Sequence, residues 1–165
     1  GGVTYVIVPF VVHNRMAATT QGLELSADWR PRAGLRLQPA WTWRRMDIEL
    51  DDDSAYLAGF DWEGVSPEQQ FVLRTSVDLP EAVELDLTGR YVGALPSINL
   101  DAYLSLDVRL GWRPRTNLEV VVAGHDLLAG QHAEFRLPHL PTQVLDPRRG
   151  VRVALQWRPG AGSTP

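Results

Sequence analysis

Four histidines, His13, His125, His132 and His139, are the side chains best suited to metal chemistry, and the last two share a polar stretch with Glu134. A zinc or transition-metal centre needs several such groups converging at helix or hairpin spacing. The separation of His132 and His139 matches no such signature, so solvated loop imidazoles are the better account. Asp51, Asp52 and Asp53 form an acidic run that could offer oxygens to calcium. The run lacks the spaced ligands and the glycine of a calcium loop, and it reads as a solvated loop tip. Tyr56, Phe60 and Trp62 follow in the same stretch. Exposed aromatics on a long loop are candidates for ligand binding, although they could equally tuck over neighbouring structure. There is no nucleophile elbow, phosphate-cradling glycine loop or zincin helix. The carboxylates are better explained as ion pairs than as an acid and base pair. The expectation is a protein that is not an enzyme, with no catalytic residue, no metal and no cofactor.

Composition narrows the partners. The chain has 165 residues and a net charge of -4, which gives no basic footprint for nucleic acid. Cysteine is absent, excluding disulfides and thiolate metal sites. Every basic residue is Arg, which suits forked pairing with carboxylates but also fits a codon bias. The longest apolar stretch, Tyr5 to Val12, contains Pro9 and falls far short of the ~20 residues of a spanning helix. Any membrane crossing must be made by strands.

The elements that would position these residues are strands, because period-two alternation recurs along the chain. Leu104, Leu106, Val108, Leu110 and Trp112 face one way; Tyr103, Ser105, Asp107, Arg109 and Gly111 face the other. The same split separates Leu23, Leu25, Ala27 and Trp29 from Glu24, Ser26, Asp28 and Arg30. It separates Leu35, Leu37, Trp41 and Trp43 from Arg36, Gln38, Thr42 and Arg44. It continues through Phe71 to Leu79, Val83 to Tyr91 and Val151 to Trp157. Two segments fit less well: Leu118 to Val122 is nearly all apolar, and Pro39 removes a ladder hydrogen bond.

The connections alternate in length. Pro31 to Gly34, Pro80 to Ala82 and Pro114 to Asn117 are short; Glu49 to Pro67 and Ala129 to Arg149 are long and polar. A meander with this order is tight at one end and loop-rich at the other, as outer-membrane barrels are. Three strands end alike, in Trp29-Arg30-Pro31, Trp112-Arg113-Pro114 and Trp157-Arg158-Pro159. Trp29, Trp112 and Trp157 therefore read as a membrane-interface girdle, with indole at the headgroup boundary and Arg reaching water.

A soluble sandwich also alternates. Strands of about ten residues match the 9–11 of a tilted membrane strand and exceed the usual five or six. The apolar faces read as free of charge throughout. The fold expected is all-β: an antiparallel meander of about eight long strands, part of a transmembrane β-barrel.

With these elements laid out, the chain resembles the C-terminal part of the barrel of TonB-dependent outer-membrane receptors. The resemblance rests on Gly22-Leu23-Glu24-Leu25 before a short turn, on Ser76-Val77-Asp78-Leu79-Pro80, and on Leu106-Asp107-Val108-Arg109-Leu110-Gly111-Trp112. It continues in Asn117-Leu118-Glu119 and Gly124-His125-Asp126-Leu127-Leu128, and covers Gly22 to Trp157. It implies that residues 1–158 are a C-terminal barrel segment, lacking the N-terminal plug and first strands, and that 159–165 are a disordered tail. It implies uptake of a scarce nutrient, such as a siderophore-iron complex or cobalamin, in the outer membrane of a Gram-negative bacterium. Its partners would be outer-membrane lipid, the plug and remaining strands, the TonB complex reached through the absent N-terminus, and a small-molecule ligand, but not nucleic acid. Pro159 departs from the family, standing where a terminal aromatic is usual. The alternatives are a small self-closed barrel with a structural or adhesion role, and a soluble β-sandwich binding module.

Overall fold

The computed structural model describes residues 14–52, 62–128 and 148–159. Eight strands form one antiparallel sheet: β1 (Met16–Ser26), β2 (Trp29–Arg32), β3 (Leu35–Leu50), β4 (Gln69–Leu79), β5 (Val83–Val92), β6 (Tyr103–Arg115), β7 (Leu118–His125) and β8 (Gly150–Trp157). Their order is β1-β3-β4-β5-β6-β7-β8, with β2 also on β3. The all-β meander of eight strands is therefore what forms. The sheet is open, with β1 and β8 at its two edges, both running from the loop-rich end to the tight end.

β1 and β2 share one lane of the sheet, and Pro39 explains why they count as two. Ser26 pairs with Ala40 and Trp29 with Leu37, in one unbroken register. Between them the Ala27 N–H donates to the Pro39 carbonyl at 3.0 Å. The return bond cannot exist, because proline has no N–H. The ladder is interrupted for two residues, and the sheet is seven lanes wide.

Register also corrects one sequence expectation and shows how far two strands extend. The apolar run at Leu118 does alternate, because Val120 lies opposite Trp112 and Leu155 while Val121 lies opposite Gly111 and Ala154. Leu118, Val120 and Val122 thus join the apolar face, and Val121 faces the polar side. The sheet also extends beyond Leu23 and Arg44. Met16 to Gly22, which carries no alternation, is held in β1 by pairing with Arg44 to Leu50 of β3.

Turns at Ala33-Gly34, Pro80-Glu81-Ala82 and Thr116-Asn117 lie at one end. Gly34 supplies the positive φ of 72° that the first turn needs. At the other end Leu95, Ile98 and Leu100 form a small buried cluster with Val65 beside it. Two single turns of 3₁₀ helix, Glu63–Val65 and Pro96–Ile98, carry it. The connection that holds the second turn has no pattern that marks it in the sequence. Tyr5–Val12, Asp53, Tyr56, Phe60, His13, His132, Glu134, His139 and the tail from Gly160 lie outside the described residues.

Candidate functional site

Following the paired rows across the sheet places one face's side chains in order. Leu37, Thr75, Leu87, Val108, Gly124 and Val151 form one row, and Trp29 joins it through Leu37. This face stays open to its surroundings: Val151, Val153, Leu155 and Trp157 are 62–72% exposed. Apart from the loop-end cluster, Ala123 is the one buried hydrophobic among the described residues. Among the described residues the sheet therefore buries no core against this face.

The three tryptophans of the expected girdle share this face and lie on a straight line. From Trp29, four lanes across brings the row to Val108, and Trp112 lies four residues further toward the tight end. From Trp112, two lanes across brings the row to Leu155, and Trp157 lies two residues further. The advance is one residue per lane throughout. With ~3.3 Å per residue and ~4.8 Å between strands, the line slopes ~35° across the rows. A second aromatic row, not singled out from sequence, bounds the other end: Trp41 pairs with Phe71, Phe71 with Tyr91, and Trp43 stands one row beyond.

Beyond Trp43 the sidedness reverses, which corrects the expectation of a charge-free face throughout. Arg45, Asp47 and Glu49 project on the side of Trp43, and Met46, Ile48 and Leu50 on the other. Arg45 Nε reaches Asp47 Oδ1 at 3.1 Å. The apolar band therefore has two ends, each marked by aromatic side chains.

The opposite face is polar and ion-paired. Arg109 on β6 donates from Nη1 to Asp86 at 2.9 Å and from Nη2 to Glu119 at 3.0 Å. Arg113 grips both oxygens of Glu84, at 2.7 and 3.2 Å. Two guanidiniums thus hold three carboxylates from β5 and β7 across the central β6. The guanidinium of Arg109 lies over Gly111, where any Cβ would meet its atoms at 3.1–3.3 Å. Nearer the edge, Arg36 Nε donates to both carboxylate oxygens of Asp28, at 3.0 and 3.1 Å. These contacts fit the expectation that the carboxylates serve as ion pairs.

Of the expected ligand-binding residues, Trp62 alone lies in the described part; it is 40% exposed and precedes the turn Glu63–Val65. Beside that turn is an open cleft of about 640 Å³, bordered by Arg44, Met46, Glu63, Glu68 and Tyr91. Glu63 anchors the turn by accepting the Ile48 N–H at 2.5 Å. His125 stands near Asp107, Nδ1 to Oδ1 3.9 Å, at the same end of the sheet. No group of three or more metal-binding side chains occurs among the described residues.

No family model matches the chain, and neither a curated protein nor a solved structure is similar to it at a significant level.

Proposed function

We infer that this chain is a segment of an outer-membrane β-barrel, the C-terminal part of a TonB-dependent receptor that takes up a scarce nutrient. The observation that carries the reading is the tryptophan line bounding an exposed apolar face. If the indoles lie in one membrane interface, the strands tilt ~35° from the normal, at the edge of the 35–45° of membrane barrels. The tight and loop-rich ends add support, because such barrels carry short periplasmic turns and long outer loops. The tight end is then periplasmic. The polar face lines the lumen and meets the plug, and the Trp62 loop and its cleft contact the arriving ligand. The receptor class itself rests on the sequence resemblance. Among the described strands β1 and β8 run the same way, so pairing these two with each other would not close an antiparallel barrel.

The test is folding in the presence and absence of detergent micelles, followed by β-sheet circular dichroism and by heat-modifiable gel mobility. β-Structure confined to micelles is expected; cooperative folding in plain buffer would sink the reading. A sharper arm compares neighbours. Val122→Arg puts a charge in the band and should cost ~2–4 kcal/mol if it lies near the bilayer midplane. Val121→Arg faces the polar side and should be tolerated.

A further inference from the structure

The Trp-Arg-Pro-Arg repeat does more in the sheet than end two strands. In β2, Trp29 pairs with Leu37 but Arg32 pairs with Leu35, so the register shifts by one residue between them. In β6, Trp112 pairs with Val120 but Arg115 pairs with Leu118, and the same shift occurs. The prolines Pro31 and Pro114 stand inside the shifts, where a ladder lacking their N–H is easily bulged. A bulge re-aims the residues beyond it. Without the shift, the second Arg of each repeat would face the polar side. With it, Arg32 shares a face with Leu35, and Arg115 shares one with Leu118 and Trp157. Each repeat therefore sends its two arginines to opposite faces.

Their partners differ accordingly. The first Arg of each repeat has a carboxylate: Arg30 Nε lies 3.9 Å from Asp28, and Arg113 Nη1 lies 2.7 Å from Glu84. The second, Arg32 or Arg115, is exposed and makes no ion pair among the described residues. By register two arginines without ion pairs thus fall just beyond two indoles, on the side of the apolar face and four lanes apart, and Arg32 also borders an open cleft at the turn with Arg30, Arg36 and Asp78. A structural role alone needs no such duplication, since one turn residue closes a hairpin as well as another.

We propose that Arg32 and Arg115 are headgroup anchors that bind the phosphates of anionic phospholipid in the leaflet at the tight end. The inference rests on the membrane reading above. Each indole sits at the boundary between acyl chain and headgroup, and the neighbouring guanidinium donates to a phosphate beyond it. The phosphate comes from membrane lipid and not from solution, because both groups are continuous with the apolar face that lipid covers.

The experiment partitions the full chain onto sucrose-loaded vesicles of phosphatidylcholine, alone or with about a quarter phosphatidylglycerol. Binding is read by sedimentation, and insertion by quenching of tryptophan with nitroxide lipids. The unaltered chain should insert into both and favour the anionic vesicles. Arg32→Gln with Arg115→Gln should lower that preference by about fivefold for each guanidinium removed, and Arg32→Lys with Arg115→Lys should retain most of it. Arg30→Gln, on the polar side, should leave the preference unchanged, and 1 M salt should erase it at a Debye length of ~3 Å. Insertion with equal affinity for both vesicles, or a preference the Gln pair keeps, overturns the anchor and leaves the membrane reading standing. No quenching in either vesicle overturns both.

Discussion

At Gly111 a single missing methyl group decides how β5, β6 and β7 are tied on the polar face. Adding one there drives Arg109 off its seat, because the guanidinium atoms lie within 3.1–3.3 Å of the new Cβ. The side chain is flexible enough to move, but moving breaks its bonds to Asp86 and Glu119. Since Arg109 is about one-third exposed, the loss is discounted for screening to ~1 kcal/mol. Gly89, on the apolar face, has nothing within 4 Å of its virtual Cβ. Gly89→Ala should therefore stabilise by ~0.5–1 kcal/mol through backbone entropy alone. The same entropy gain applies at Gly111, so Gly111→Ala should fall ~1 kcal/mol below Gly89→Ala; urea midpoints of the two variants check the pair, and equal gains would mean that Arg109 does not rest on Gly111. Little of this network is legible from residue types. The carboxylates and arginines are assignable to the polar face, but which Arg reaches which carboxylate depends on register. The opposed fates of the two arginines in each Trp-Arg-Pro-Arg repeat depend on a bulge, and the prolines are its one local signal.

Strands β4, β5, β6 and β8 are readable because each has one apolar and one polar face along its length. β7 is ambiguous, since Val121 is apolar on the polar side and only its partners Gly111 and Ala154 disclose its direction. The ends of β1 and β3 escape a sequence reading for a different reason. Ala17 to Gly22 is made of small and polar residues, and the reversal beyond Trp43 disrupts the pattern that marks the rest of β3. Pro39 signals a lost ladder bond in the sequence, and that loss is located between β3 and β1. Its carbonyl already accepts from Ala27, so an N–H at this position would point at the vacant side of the pair. Pro39→Val should restore the return bond, keep an apolar side chain on the apolar face, and raise stability by ~1 kcal/mol. Chemical denaturation checks the gain, and faster amide exchange at Ala27 in the variant would contradict it.

Across the whole sheet, protection should follow distance from the edges. Strands β4 to β6 have neighbours on both sides, whereas among the described residues β1 and β8 are paired on one side only. Hydrogen exchange should therefore leave β4, β5 and β6 slowest and release β1 and β8 first. Uniform protection would imply that the two edges find partners, within the chain or between copies. The all-β class and the two unlike ends are visible in the order of short and long connections. The small cluster of Leu95, Ile98 and Leu100 is not, because three apolar residues around a tight turn carry no periodic signature.

The shared direction of β1 and β8 sets a rule of parity. A closed cylinder whose neighbours all run antiparallel contains an even number of lanes, and this sheet supplies seven. If the described sheet is part of such a cylinder, what completes it must bring an odd number. Hairpins added in pairs of strands, however many, always leave one seam that runs the wrong way; a single strand, or hairpins plus one strand, does not.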